Sequence, residues 1–220
     1  TPHCFLSHLR GVDHSERNVI SDQNVHPFKF SGTNILLAHN GNIADFNKIK
    51  FDLLKYIKPK FQSQIIGTTD SEWIYAVLIS QLENVTKDQT PDEISDAIIK
   101  TLKIFRDLRK KHDIYTTSPV NLFISNGDLI AATRFVFDYG WYPLTLKPST
   151  HYAYHSLWYT YGENYGFYDD EYRMKLGNKN SIIIASEPLT EDTTTWVEIA
   201  EYTLMITWRE KDKIKIYSKD

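Results

Sequence analysis

Apolar residues recur every three or four positions between about residues 44 and 112, which is the spacing of one face of an α-helix. The first such stretch covers about residues 44–57, and Pro59 lies just past its end. Further helices are predicted to start after Thr69 and after Thr90, because each threonine is followed three positions later by a glutamate. That pattern is typical of a capping box. The last of these helices is predicted to end near His112.

Shorter apolar runs flank the helices and predict strands. Before the helices they lie at residues 4–10 and 34–38. After residue 120, two runs meet at Asn126-Gly127, a dipeptide typical of hairpin turns. The remaining runs are 152–161, 171–176, 181–185, 202–208 and 213–217. Strands, then helices, then many strands predict an α+β fold with mostly antiparallel sheets.

The composition narrows the class of protein. The chain has 220 residues with 41% hydrophobic side chains, enough for one well-buried domain. The net charge is −3 and no basic stripe is present, which argues against a nucleic-acid partner. The sequence contains no run of about 18 apolar residues, the length that would predict a membrane span. The single cysteine excludes an intramolecular disulfide and fits a reducing compartment, so we expect a cytoplasmic protein.

Short polar motifs are concentrated in the first 72 residues. They are HLR at 8–10, NVHPF at 24–28, AHNG at 38–41 and TDSE at 69–72, and a further motif, ASEPLT, lies at 185–190. In this order they resemble the substrate pocket of a class II glutamine amidotransferase, a member of the N-terminal-nucleophile hydrolase superfamily. ASEPLT narrows the resemblance to the branch that contains the yeast glutathione-degradation amidotransferase subunit and related bacterial proteins.

The resemblance implies a fold and a domain organisation. The fold would be a four-layer αββα sandwich, with two mostly antiparallel sheets between helix layers. Residues 1–220 would form a single domain that is incomplete at its N-terminus. The chain lacks an initiator methionine, so it could be a processed protein, an expressed piece, or an ordered fragment of a longer one.

Arg10 and Asp70 are the candidate substrate-binding residues. A guanidinium matches a carboxylate bidentately, and the resemblance implies that Arg10 holds the α-carboxylate of glutamine. It also implies that Asp70 binds the α-ammonium, so that the two side chains fix an amino acid by both ends. The ordinary alternatives are a surface arginine, and an acid stabilised by the positive end of a helix.

Asn40 and Gly41 are the candidate catalytic residues. The resemblance implies that the Asn40 side-chain amide and the Gly41 backbone N–H stabilise the oxyanion of an acyl transfer. The alternative is a plain turn, since Asn-Gly is also the strongest hairpin dipeptide. His39 before the pair and Ile43 after it favour the catalytic interpretation, as in the HNG motif of the family.

The other motifs carry weaker expectations. NVHPF has Val25 where the family commonly has cysteine, and we expect it to shape the structure under the pocket with no catalytic role for His26. Glu187 could contact an acceptor or close the site, although a turn anchored by Pro188 is the simpler interpretation. The eight histidines show no ligand spacing on a predicted helix, and the family chemistry needs neither metal nor cofactor.

The nucleophile is the open question. In the family it is an N-terminal cysteine whose own amino group acts as the base. Cys4 is the single thiol here, but it lies six residues before Arg10 and is not residue one, so we expect a small buried strand residue. Either the cysteine lies upstream in a longer protein, or the protein binds glutamine-like ligands without turnover.

The implied reaction is hydrolysis of the γ-glutamyl amide of glutamine, or of a γ-glutamyl compound such as glutathione, through a cysteinyl thioester. The implied partners are this small-molecule substrate and a peptidase or acceptor subunit. Two rivals remain, a non-catalytic binding or scaffold subunit and a plain globular domain with no ligand pocket.

Overall fold

The computed structural model describes residues 4–9, 21–138, 156–168, 170–210 and 213–219. The strands are β1 (Leu36–Gly41), β2 (Ser118–Ser125), β3 (Leu129–Arg134), β4 (Val136–Phe137), β5 (Trp158–Gly162), β6 (Tyr165–Tyr168), β7 (Glu171–Met174), β8 (Ser181–Ala185), β9 (Val197–Glu198), β10 (Thr203–Glu210) and β11 (Lys213–Lys219). The α-helices are α1 (Phe46–Ile49), α2 (Pro59–Gln62), α3 (Asp70–Gln81) and α4 (Pro91–Lys111), with 3₁₀ helices at Asp22–Asn24 and Lys50–Tyr56.

Six strands form the main sheet, in the order β1-β2-β3-β10-β11 with β4 paired to β2. All of their pairings are antiparallel. One face of this sheet is covered by α3 and α4, and the large hydrophobic core lies between them. Ten of the twelve residues of α3 are buried, since the helix lies between the sheet and the other helices.

A second, smaller sheet lies against the other face. It contains three antiparallel strands in the order β8-β5-β9. A second core cluster, formed by Ala132, Leu157, Ile199 and Met205, joins β3 and β10 to this sheet. The described residues thus show a helix layer, a sheet and a second sheet. The predicted α+β class with antiparallel sheets is confirmed.

Both predicted helix starts are confirmed, although only one forms a complete capping box. Thr90 and Glu93 exchange both hydrogen bonds at the start of α4. Thr69 caps α3 by accepting from the Glu72 N–H. The Glu72 carboxylate does not return to Thr69. It accepts the N–H groups of Ile66 and Gly67 instead.

Two sequence predictions were wrong in detail. The helix predicted over 44–57 is a single turn of α-helix followed by the 3₁₀ helix. Residues 4–9 do not form a strand, and Phe5 and Leu9 are 83% and 96% exposed. A strand needs a paired neighbour as well as apolar residues, and within the described chain this segment has no ladder partner. Cys4 is accordingly half-buried, with its thiol against the Ser125 hydroxyl at 3.2 Å.

The predicted hairpin is confirmed, with β2 and β3 on either side of Asn126-Gly127. The strands β6 and β9 had no prediction, and β4 begins at Val136, the last residue of the strand predicted after Asn126-Gly127. Among the described residues, no helix is both long and apolar enough to cross a membrane.

Candidate functional site

β1 ends at Asn40-Gly41, on the edge of the main sheet. Backbone groups of successive residues in a strand point alternately to its two sides. The Leu37 N–H and carbonyl pair with Phe28, on the side away from β2. Gly41 has the same parity as Leu37. The residue opposite Gly41 in the β1–β2 ladder is Val120. Its N–H donates to the Phe135 carbonyl and so points away from β1. The Gly41 N–H therefore points to the open edge of β1 and is not used in the ladder with β2.

Gly41 is the residue that this position requires. Its backbone φ is +140°, a value that residues with a side chain rarely adopt. A Cβ at this position would lie 1.9 Å from the Pro119 carbonyl oxygen. The close approach presses the backbone of β1 against the start of β2. Glycine provides this contact because it has no side chain.

Three consecutive backbone N–H groups hold the loop after Gly41. Asn42 donates to the Pro119 carbonyl at 3.1 Å, and Ala44 donates to the Ser118 hydroxyl at 2.9 Å. Between them, Ile43 donates to the Asp70 carboxylate at 2.6 Å. The loop is thus fixed from one side by β2 and from the other by the start of α3.

Asp70 lies in the first turn of α3, where the positive end of the helix dipole stabilises a carboxylate. Its second oxygen accepts the Ser71 hydroxyl at 3.2 Å, and the oxygen of that hydroxyl lies 2.9 Å from His39 Nδ1. His39 is fully buried. Burial lowers its pKa, while the negative charge of Asp70 and the Pro119 carbonyl act in the opposite direction. The contact between His39 and Ser71 therefore joins β1 to the start of α3.

The loop before Asp70 is held by two buried polar side chains. The Asn24 amide accepts the Thr68 N–H at 2.9 Å and donates to the Thr68 hydroxyl at 3.0 Å. The Glu72 carboxylate accepts Gly67 N–H at 2.8 Å, and burial raises the pKa of this carboxyl. A Cβ at Gly67 would lie 2.6 Å from the Asn24 amide oxygen. NVHPF therefore supports the loop that carries Asp70.

The Asn40 side chain lies on the opposite face of β1 from His39, because side chains alternate along a strand. That face is the one covered by the second sheet. The residue opposite Asn40 in the β1–β2 ladder is Asn121, whose side-chain amide donates to the Ser156 carbonyl at 3.0 Å. The Ser156 hydroxyl in turn donates to the Ser186 carbonyl at 2.6 Å. These contacts bring Ser186 of the ASEPLT motif to the same end of the two sheets as Asn40, and Glu187 is exposed there.

A cleft with a volume of about 590 Å³ opens beside Asp70. Its lining residues come from the loop before α3 and from the region of α1. They are Asp45, Phe46, Asn47, Lys48, Thr68 and Asp70. The size is sufficient for an amino acid with an attached group, since ligand pockets are typically ~300–1,000 Å³.

The structure brings two of the predicted site residues together. Two residues of chain span at most about 7 Å, so the Ile43 bond puts the Asp70 carboxylate within about 10 Å of the Gly41 N–H. Arg10 lies outside the described residues. Cys4 lies elsewhere: its partner Ser125 is opposite Leu36, at the far end of the β1–β2 ladder from Gly41.

Sequence reasoning missed the residues that support the loop. Ser118, Asn121 and the buried Arg109 belong to no motif that the sequence analysis used. Arg109 lies in the last turn of α4, where a basic side chain is expected on the surface because it complements the helix dipole, so no local signal marked it as buried.

The comparisons with known proteins agree on one family. The family model of the class-II glutamine amidotransferases matches residues 2–219. The probable glutamine amidotransferase DUG3 of Saccharomyces cerevisiae is 26% identical over 213 residues, covering 91% of this chain and 56% of the yeast protein. An uncharacterized protein of Methanocaldococcus jannaschii is 26% identical over 216 residues, covering 92% of this chain and 49% of that protein. The chain spans about half the length of these curated relatives.

A solved structure has the same fold. The glutamine aminotransferase class-II domain protein from Silicibacter pomeroyi aligns with a TM-score of 0.60 over 90% of this chain and 71% of that chain. The sequence identity is 18%, so this likeness concerns the fold alone.

Proposed function

The chain belongs to the class-II glutamine amidotransferases, and from this membership we propose that it forms the glutaminase site of an enzyme that hydrolyses γ-glutamyl amides through a cysteinyl thioester. The substrate is glutamine or a related γ-glutamyl compound. A coupled acceptor, where one exists, takes the ammonia or the glutamyl group.

The observation that carries the proposal is the 2.6 Å bond from Ile43 N–H to the Asp70 carboxylate. This bond holds the Asp70 carboxylate against the loop that follows Gly41, whose N–H points to the open edge of β1. An amino-acid substrate needs such a pair, because its ammonium requires an anion while its side-chain carbonyl requires a donor.

The proposed reaction proceeds through a thioester. The thiolate attacks the substrate Cδ, and the carbonyl π electrons move to the oxygen. The Asn40 amide and the Gly41 N–H stabilise the resulting oxyanion. The α-amino group of the N-terminal cysteine takes the thiol proton and gives it to the leaving nitrogen, so that the C–N bond breaks, ammonia leaves and a thioester remains. Water then attacks the thioester and gives a proton to the same amino group, which passes it to the leaving sulfur, so that glutamate and the free thiol are released.

Asp70 binds the substrate ammonium in this scheme. Arg10 is proposed for the carboxylate on the strength of the HLR motif, and it lies outside the described residues. Holding both ends of the amino acid converts a bimolecular encounter into a positioned attack, which is worth several kcal/mol in reactions of this kind.

The nucleophile of the proposal is a cysteine outside residues 1–220. Cys4 is the one cysteine of this sequence, and its thiol contacts Ser125. From Leu36, opposite Ser125, to Gly41 is five strand residues, or roughly 16 Å. A thiol at that distance cannot reach a carbonyl bound at Gly41.

The substrate class is proposed more finely on weaker support. The yeast relative is named a probable glutamine amidotransferase, which makes glutamine the first substrate to test. Glutathione and a partner peptidase or acceptor subunit remain predictions from the ASEPLT motif.

The test uses the full-length protein purified from its source. It is incubated with glutamine and, separately, with glutathione, and release of ammonia or glutamate is measured. Intact mass is then recorded after treatment with a diazoketone analogue of glutamine. We expect turnover and one adduct on a cysteine other than Cys4.

Other outcomes identify the rivals. Glutamine binding without turnover or adduct would make the protein a binding subunit. If Arg10→Ala and Asp70→Ala each leave both binding and turnover unchanged, the pocket itself is refuted and a plain globular domain remains.

A further inference from the structure

Arg109 is among the largest fully buried side chains of the described structure, with 1% of its surface exposed. It lies in the last turn of α4. A buried guanidinium is strongly unfavourable unless its N–H groups are paired. Its position therefore depends on specific acceptors.

Three acceptors surround the guanidinium. Its Nη1 donates to the Ser118 hydroxyl at 2.7 Å. Its Nη2 donates to the Asp138 carboxylate at 2.9 Å and to the Thr116 carbonyl at 2.5 Å. The group also lies over the Phe137 ring, 5.1 Å from its centre. The charge is thus neutralised by Asp138 and oriented by the start of β2.

Ser118 connects this buried charge to the candidate site. Its hydroxyl oxygen accepts both the Arg109 N–H and the Ala44 N–H, the latter at 2.9 Å. The next residue, Pro119, accepts Asn42 N–H and crowds Gly41. Arg109 is therefore two hydrogen bonds away from the loop that follows Gly41, and it does not line the cleft beside Asp70.

We propose that Arg109, acting through Ser118, is a positioning residue for the oxyanion hole. It fixes the hydroxyl that holds Ala44, and that contact sets the direction of the Gly41 N–H. The inference rests on the proposed function. Oxyanion donors act because they are aimed before the charge develops. A small misplacement of such a donor slows the reaction strongly even when the change lies far from the chemistry.

A structural role and a positioning role predict different kinetics. A residue that only stabilises the fold lowers the amount of active protein and leaves kcat and KM of the folded fraction unchanged. A residue that aims the Gly41 N–H acts on the tetrahedral intermediate, because the ground-state amide depends far less on that donor. The loss then falls on kcat, and KM changes little.

The experiment introduces Ser118→Ala and Arg109→Lys separately into the full-length protein. Arg106→Lys is the matched control, since Arg106 lies on the same helix, is exposed, and has its guanidinium over the Phe135 ring. Glutamine hydrolysis is measured together with inhibition by glutamate γ-semialdehyde, whose aldehyde forms a tetrahedral adduct with a thiol. Folding of each variant is checked by thermal unfolding.

For Ser118→Ala we expect kcat to fall about tenfold, less than the roughly 10²–10³-fold loss on removing a direct donor. KM should change by less than about twofold, and affinity for the semialdehyde should fall by the same factor as kcat/KM. Arg109→Lys should behave similarly, since lysine lacks the planar fork. Arg106→Lys should match the wild type.

Amide hydrogen exchange provides a readout that needs no turnover. In Ser118→Ala the Ala44 N–H should exchange faster, with smaller changes at Asn42 and Ile43. If the wild type turns over no γ-glutamyl substrate, the proposed function fails, and unchanged exchange at Ala44 still refutes the network. If folded Ser118→Ala keeps wild-type kcat and semialdehyde affinity, the positioning role is overturned while the proposed function stands.

Discussion

The Asp70 carboxylate accepts the backbone N–H of Ile43 at 2.6 Å, across the gap between the start of α3 and the end of β1. The carboxylate is therefore a structural acceptor as well as a negative charge. Its two possible roles, support of the loop and capture of an ammonium, can be separated because asparagine retains an acceptor oxygen and loses the charge.

Asp70→Asn should weaken substrate binding and leave the fold intact. We expect KM for glutamine to rise about 10–100-fold, since a hydrogen bond to a charged group is worth ~1.5–3 kcal/mol. The Tm should stay close to that of the wild type, because the amide oxygen of the introduced asparagine can still accept Ile43 N–H. Steady-state kinetics and thermal unfolding provide the two readings.

Asp70→Ala is the companion variant, since it removes the acceptor as well as the charge. It should lower both Tm and activity. If Asp70→Asn keeps the wild-type KM, Asp70 serves only the loop and the helix start, and the ammonium must be bound elsewhere.

Gly41→Ala should be more harmful than an alanine at another glycine with positive φ. The new Cβ meets the Pro119 carbonyl oxygen at 1.9 Å, so the backbone must move. Left-handed strain of ~1–2 kcal/mol adds to overpacking of ~1–3 kcal/mol. We expect a destabilisation of roughly 2–5 kcal/mol in denaturant unfolding, and loss of turnover.

Gly127→Ala is the matched control. Its φ is +102°, but a Cβ there meets no atom of the described structure within 4 Å. It should therefore show the strain contribution alone and retain activity. Equal destabilisation by the two variants would mean that the contact with Pro119 has no energetic weight.

The sequence predicted the parts of the site that depend on local patterns. TDSE specified where α3 begins, because capping is settled within four residues. The apolar run at residues 34–38 predicted a strand, which the structure has at Leu36–Gly41. The antiparallel α+β class followed from the order of the elements.

The contacts that join these parts could not be predicted, because they connect residues distant in sequence. Ser118 meets Ala44 across 74 positions, and no motif includes either residue. Residues 4–9 show the converse error. Their apolar run predicted a strand, but strand formation depends on a neighbour that local sequence does not reveal.

His39 should make the stability of the protein depend on pH. Burial lowers its pKa below the usual value of 6.5. Between that value and the lower folded-state pKa, the unfolded chain binds a proton that the folded chain does not. The stabilisation is therefore complete above pH 6.5 and is lost as pH falls below it, by at most about 1.4 kcal/mol per pH unit.

His39→Gln isolates this contribution among the eight histidines of the sequence. Glutamine retains a polar group near Ser71 and does not titrate. The free energy of unfolding is measured by denaturant between about pH 5 and pH 8 for both proteins, a range that brackets the usual histidine pKa. The wild type should lose more stability towards the acid end than His39→Gln does, and parallel curves would show that His39 titrates alike in both states.

Cys4→Ser tests whether the one thiol of this sequence takes part in the reaction. The Cys4 thiol contacts Ser125, opposite Leu36, and Gly41 lies five residues further along β1, or roughly 16 Å away. Serine can replace the thiol in the contact with Ser125, so the fold should be retained. We expect kcat and KM of the full-length protein to stay within about twofold of the wild type, and the diazoketone adduct to form as before.

Asn40→Ala is the contrasting variant, because it removes a proposed oxyanion donor and should lower kcat about 10²–10³-fold. If Cys4→Ser instead abolishes both turnover and the adduct, Cys4 is the nucleophile, and the reacting carbonyl must bind near Ser125 at the opposite end of the ladder from Gly41.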